Sequence, residues 1–211
     1  MSTSPKSAST KLSAFGVSCT LKHGPKESSS QKLLDQLLRA LHKHDVDTSW
    51  VRAVDHDIKP GVKADEGEGD AWPLLRDKIL AADILVLATP IWMGQPSSVV
   101  KRILERMDAF LGEIDEQGRY PTFGRVALVA VVGNEDGAHH VTAELYQALA
   151  DVGFTIPGSS SAYWVGKAMS SVNYVDLNHT PKPLAEAIKT QASNAAHLAK
   201  LLKQHPYPDP L

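Results

Sequence analysis

The run at residues 82–89, ADILVLAT, constrains the fold more than any other stretch. Its apolar residues are consecutive rather than alternate. A strand with one wet face alternates apolar and polar residues. One that is apolar throughout must be covered on both faces, as in a parallel sheet held between helices. Residues 12–19 (LSAFGVSC) and 125–133 (RVALVAVVG) have the same character. Helical periodicity separates these runs, at Leu33, Leu34, Leu37, Leu38 and Leu41, at Trp72, Leu75 and Ile79, and at Val99, Val100, Ile103, Leu104 and Met107. It returns at Val141, Leu145, Leu149 and Val152, and at Leu184, Ile188, Ala192, Ala195, Leu198 and Leu202. Residues 49–55 read as a second strand and residues 153–158 (GFTIPG) as a short fifth.

Strands alternating with helices predict a three-layer α/β sandwich: a five-stranded parallel sheet with helices on both faces, in the doubly wound order 2-1-3-4-5. The chain has 211 residues, of which 43% are hydrophobic. That suits one domain over residues 12–204. Residues 1–11 are expected to be a disordered tail and residues 205–211, with three prolines, an irregular one. A net charge of -2 gives no reason to expect nucleic acid or an anionic membrane. No apolar run approaches the roughly 20 residues that span a bilayer. A single cysteine, Cys19, excludes a disulfide framework within the chain and points to a cytoplasmic protein. Residues 59–70, with Asp65, Glu66, Glu68 and Asp70, read as a solvated loop, and residues 158–180 as a long loop carrying Tyr163 and Trp164.

In such sheets ligands bind beyond the carboxyl ends of the strands, where the strand order reverses. Three strand ends here carry unusual sequence, and the order 2-1-3-4-5 brings them together. The first loop offers the hydroxyls of Ser18, Thr20, Ser28, Ser29 and Ser30, with Lys22 and Lys26 nearby, and leads into a helix N-terminus suited to an anion. The second, Thr89, Pro90, Ile91, Trp92, Met93 and Gly94, puts large apolar side chains in a connection, where something must cover them. The third, Gly133, Asn134, Glu135, Asp136 and Gly137, allows close backbone approach. A phosphate at one loop and a flat heteroaromatic ring between the other two describe FMN. Neither G-x-G-x-x-G nor G-x-x-x-x-G-K-[ST] is present. His139 and His140 have no partner at metal-binding spacing, so no metal site is expected.

Together the SSSQKLL helix entry, TPIWMGQPSSVVKRILERMD and VVGNEDGAHH resemble the flavodoxin-like NADPH-dependent FMN reductases over residues 12–157. That family has a Pro-x-Tyr/Trp-x-Gly, Pro-Ser, Lys and acid-Arg pattern, here Pro90, Trp92, Gly94, Pro96, Ser97, Lys101, Glu105 and Arg106. The first loop departs from it, having Thr20-Leu21-Lys22 where an arginine and an asparagine are common. The resemblance implies a flavodoxin-like fold with Ser18, Thr20 and Ser28 to Ser30 on the FMN phosphate. Pro90 to Gly94 would lie along the ring, and Gly133 to Gly137 at its other edge with His139 close by. It further implies NADPH or NADH as transient reductant, a small-molecule electron acceptor such as a quinone or flavin, and a homodimer or dimer-based tetramer. Flavin can take a hydride without a protein base, so no catalytic acid or base is assigned. A flavodoxin-type electron carrier is the alternative, and -2 is a weak charge for docking basic partners. A serine hydrolase using Ser18 is more remote, because G-x-S-x-G fails at Thr20.

Overall fold

The structure is a computed structural model and describes residues 11–168 and 170–210. Of the tail expected at residues 1–11, residues 1–10 lie outside the described residues, as do Met169 and Leu211, while Lys11 is described and pairs with Asp47.

Five parallel strands form the sheet: β1 (Leu12–Ser18), β2 (Val46–Arg52), β3 (Ile84–Trp92), β5 (Val126–Gly133) and β6 (Ser161–Val165). Their order is β2-β1-β3-β5-β6, the expected doubly wound arrangement, with the two-residue β4 (Gln95–Pro96) antiparallel to β3. The central strands β3 and β5 are buried along nearly their whole length, as their unbroken apolar runs require.

The helices are α1 (Ser29–His42), α2 (Trp72–Ala81), α3 (Ser98–Met107), α4 (Ala138–Asp151) and α5 (Lys182–Gln204). The leucines of α1 and the apolar stripe of α5 cover one face of the sheet, against Ala14, Val86, Ala88, Leu128 and Ala130. Helices α2, α3 and α4 cover the other, against Phe15, Val17, Leu85, Leu87, Val129 and Val131. Residues 206–210 have no regular secondary structure.

Four local expectations are corrected. The second strand begins three residues earlier than read, at Val46, and residues 53–55 form a 3-10 turn. As an edge strand with exposed residues, β2 has no hydrophobic alternation to mark its ends. The fifth strand is β6, not residues 153–158. Thr155 makes only an isolated bridge to Val126, after which Pro157 and Gly158 leave the sheet. The Tyr146 hydroxyl accepts the Val129 N–H and donates to the Ser160 carbonyl, and Gln191 Nε2 donates to the carbonyls of Val129 and Ser160, so side chains fill the gap before β6 starts.

Third, β3 continues through Trp92, so Pro90, Ile91 and Trp92 are strand rather than loop. Met93 and Gly94, with φ of 53° and 73°, make a two-residue hairpin turn into β4. Fourth, residues 59–70 are not simply solvated. Asp70 and Arg106 form an ion pair at 2.8 Å with both side chains wholly buried. Asp70 also accepts the N–H groups of Lys59, Glu66 and Trp72, and Arg106 donates to the carbonyls of Lys59 and Lys63. Burial pushes the Asp70 carboxyl up, but the three N–H groups and the guanidinium outweigh it and hold its pKa at about 2.

Candidate functional site

A cleft of about 120 Å³ opens beyond the carboxyl ends of β1, β3 and β5. All three sequence-predicted loops reach it. Thr20, Ser28, Ser29 and Ser30 come from the first, Pro90 and Trp92 from the second, Gly133 and Asn134 from the third. Leu21, Lys22, Val132, Trp164, Asn173 and Tyr174 complete the lining.

The donor-rich end of the cleft is built by the start of α1. Ser28 is its N-cap, and its Oγ accepts the Gln31 N–H at 3.4 Å and lies 3.1 Å from Ser30 Oγ. The first-turn N–H groups of Ser29 and Ser30 have no acceptor within the helix. Lys22 also lines the cleft, and its ammonium donates to the Glu27 carbonyl at 3.1 Å. Ser18 ends β1 just below. It is wholly buried, and its Oγ has no hydrogen-bond partner. No histidine therefore activates it, which removes the basis of the hydrolase alternative.

The hairpin turn is held against the third loop. The Met93 N–H donates to Glu135 Oε1 at 2.8 Å. Gly137 sits so close that a Cβ there would lie 2.9 Å from Gly94 Cα. At Gly133 a Cβ would lie 2.9 Å from the Ile91 side chain. Trp92 and Met93 are 55% and 88% exposed beside the cleft. On the α4 face a second, open cleft of about 540 Å³ runs past Gly94, Asp136, Gly137 and His139 to Tyr163. His139 Nε2 lies 3.1 Å from the Tyr163 hydroxyl.

The other predicted residues serve the scaffold through their side chains. Thr89 is buried, its Oγ1 accepting the Ser97 N–H. Ile91 points into the core. Ser29 Oγ accepts the Val175 N–H at 3.1 Å. Asp136 caps the Gly137 N–H. Because Tyr163 and Trp164 alternate on β6, they serve different clefts, Trp164 the hydroxyl-lined one and Tyr163 the open one. Asn173 and Tyr174 escaped sequence reasoning, because they belong to a connector with no apolar period. Only the Asn173-x-x-Asp176 capping-box spacing hints at order there.

A doubly wound sheet with its cleft at the switch point defines a flavodoxin-like protein. More narrowly, residues 15–170 match the family described as NADPH-dependent FMN reductase, and the chain belongs to that family of flavin oxidoreductases. It is 33% identical over 210 residues to 8-demethyl-8-aminoriboflavin-5′-phosphate synthase of Streptomyces davaonensis, covering 93% of this chain and 80% of that protein. The crystal structure of RosB with bound 8-demethyl-8-formylriboflavin-5′-phosphate superposes with a TM-score of 0.83 at 32% identity, over 93% of this chain and 82% of RosB. The apo form of an NADH:FMN oxidoreductase shares the fold, with a TM-score of 0.63 at 19% identity and 95% of each chain covered. A Mycobacterium bovis protein named as a divalent metal cation transporter is 38% identical over 169 residues, 78% of this chain. The chain spans only 25% of that protein's length. Among the described residues no helix is long and apolar enough to cross a membrane, and no cluster of metal-ligating side chains occurs.

Proposed function

We propose that the chain binds FMN across the hydroxyl-lined cleft, takes electrons from NAD(P)H, and passes them to a quinone, flavin or similar small acceptor. The carrying observation is that a donor-rich helix N-terminus and an exposed tryptophan border one cleft. The donor set fits a phosphate: two unpartnered helix N–H groups, the hydroxyls of Thr20, Ser28 and Ser30, and one lysine. At about 120 Å³ the cleft is smaller than the roughly 300–1,000 Å³ of a site enclosing a whole drug-sized ligand. It suits the phosphate and ribityl chain, with the ring outside against Pro90, Trp92 and Gly94 and its edge at Gly133 and Asn134.

When bound, FMN supplies the redox chemistry, and the chain positions it and excludes water. Ser29, Thr89, Ile91 and Glu135 hold the frame. A homodimer, or a tetramer built from dimers, would cover what the flavin leaves exposed of Trp92 and Met93.

A second reading rests on the 33% identity to a synthase named for a modified flavin phosphate: FMN is the substrate rather than the resident cofactor. One experiment addresses both. The purified protein is mixed with FMN and desalted, its visible spectrum is recorded, and NAD(P)H is added without oxygen. A retained flavin spectrum bleached by NAD(P)H supports the reductase. A retained spectrum without bleaching favours an electron carrier. A changed mass of the extracted flavin after incubation in air favours the modifying enzyme. Absence of any bound flavin overturns the proposal.

A further inference from the structure

One wall of the cleft does not come from the three strand-end loops. Asn173 and Tyr174 supply it, from the connector between β6 and α5, beyond the residues that match the family. The connector is organised locally. Residues 174–176 form a 3-10 turn with Asn173 as its cap, whose backbone N–H and Nδ2 donate to Asp176 Oδ2 at 3.0 and 2.9 Å.

It is then fastened to α1. The Lys32 ammonium donates to the carbonyls of Tyr174, Val175 and Leu177 at 3.2, 3.1 and 2.8 Å, and lies 5.2 Å from the Tyr174 ring centroid. All three of its N–H donors go to one short segment, whereas a surface lysine usually leaves them in water. The Val175 N–H donates to Ser29 Oγ, and the Tyr174 hydroxyl donates to Gln36 Oε1 at 2.5 Å. On the other side the Asn134 amide donates to the Ser170 carbonyl at 3.0 Å. The segment is thus tied both to the helix start at the donor-rich end of the cleft and to the third loop.

Resting on the FMN reading above, we propose that residues 170–177 are a clamp over the phosphate end of the flavin. Asn173 is its contact residue and Lys32 the positioning residue that docks it. Tyr174 is wholly buried and anchors the segment in the core, so FMN release requires only that Asn173 and the exposed residues before it move aside, and their docking sets the rate of release. Riboflavin, which has no phosphate, is held by the ring contacts and is indifferent to it.

The test uses the full chain. FMN dissociation is followed by recovery of free-flavin fluorescence on dilution, for wild type, Lys32→Met, Asn173→Ala and the control Lys43→Met at the far end of α1. Riboflavin affinity is titrated in each. Amide hydrogen exchange over residues 170–177 is measured with and without FMN. Lys32→Met is expected to release FMN about tenfold faster, as for loss of a hydrogen bond to a charged group. Asn173→Ala, at an exposed position, tests the contact should Lys32→Met fold poorly. FMN is expected to slow exchange at Val175 and Leu177, and riboflavin affinity to stay within about twofold of wild type. Wild-type FMN release from both variants, or exchange unchanged by FMN, overturns the clamp while leaving FMN binding intact. A comparable, roughly tenfold loss of riboflavin affinity in the variants overturns the clamp's placement at the phosphate end. A wild-type protein that binds no flavin overturns the FMN reading and the clamp together.

Discussion

Gly137→Ala tests whether the proposed ring site depends on the close seating of the third loop against the hairpin. Gly137 is the N-terminal boundary residue of α4, with φ of 119°, which an L side chain adopts only with strain. Its added Cβ would meet Gly94 Cα and O at 2.9 Å and Gly94 C at 3.2 Å, all backbone atoms with no rotamer to move aside. The backbone strain costs about 1–3 kcal/mol. Overpacking against fixed atoms adds about 1–3 kcal/mol. The clash can be relieved by moving the hairpin outward, which stretches the Met93–Glu135 hydrogen bond and separates Trp92 from Gly133. The variant therefore loses flavin affinity as well as stability. Gly67→Ala separates the two terms, because Gly67 has φ of 94° and nothing within 4 Å of the added Cβ. Urea unfolding and FMN fluorescence quenching are measured on both. Gly137→Ala is expected to be less stable than Gly67→Ala by about the overpacking cost and to bind FMN at least tenfold more weakly. If the two variants match each other in stability and in affinity, the hairpin–loop contact does not build the site.

Three further outcomes follow from single residues. Trp92→Ala removes an aromatic surface worth about 0.5–1.5 kcal/mol, so FMN titration should show binding about two- to tenfold weaker with unfolding little changed. Ser97→Ala should do the reverse: its Oγ donates to the Cys19 carbonyl at 2.7 Å and accepts the Val100 N–H as the N-cap of α3. Its loss should lower the unfolding free energy by about 1–2 kcal/mol. Asp70→Asn leaves the wholly buried Arg106 without its counter-charge and should destabilise by about 3–5 kcal/mol in denaturant melts. The same carboxylate makes a pH prediction. Its folded pKa of about 2 lies below the unfolded value, so its contribution is complete above about pH 4 and lost as pH falls toward 2. Wild-type stability should drop through that window by about 2 kcal/mol more than that of Asp70→Asn.

What could be read from the chain alone depended on whether the signal was local. Strands β3 and β5 were legible because burial on both faces leaves an unbroken apolar run, and the loops after them were placed by topology. β2 and β6 are edge strands. At β6 the run Ser161–Val165 alternates buried Ala162 and Trp164 with partly exposed neighbours, a pattern too short to outweigh the apparent strand at residues 153–158. Asp70 and Arg106 were invisible as a pair, since 36 residues separate two charges that each read as surface, and only the folded chain shows both at zero exposure. The same division runs through the site. Ser28 and Trp92 announce themselves by position, as a hydroxyl at a helix start and an aromatic at a strand end. Asn173 lines the cleft from a connector on which Lys32, one turn into α1, places three hydrogen bonds, to carbonyls more than 140 residues away. The floor of the cleft therefore follows from the fold that the family shares. Its wall depends on long-range polar contacts made by side chains with no apolar period, and no local pattern in the chain announces them.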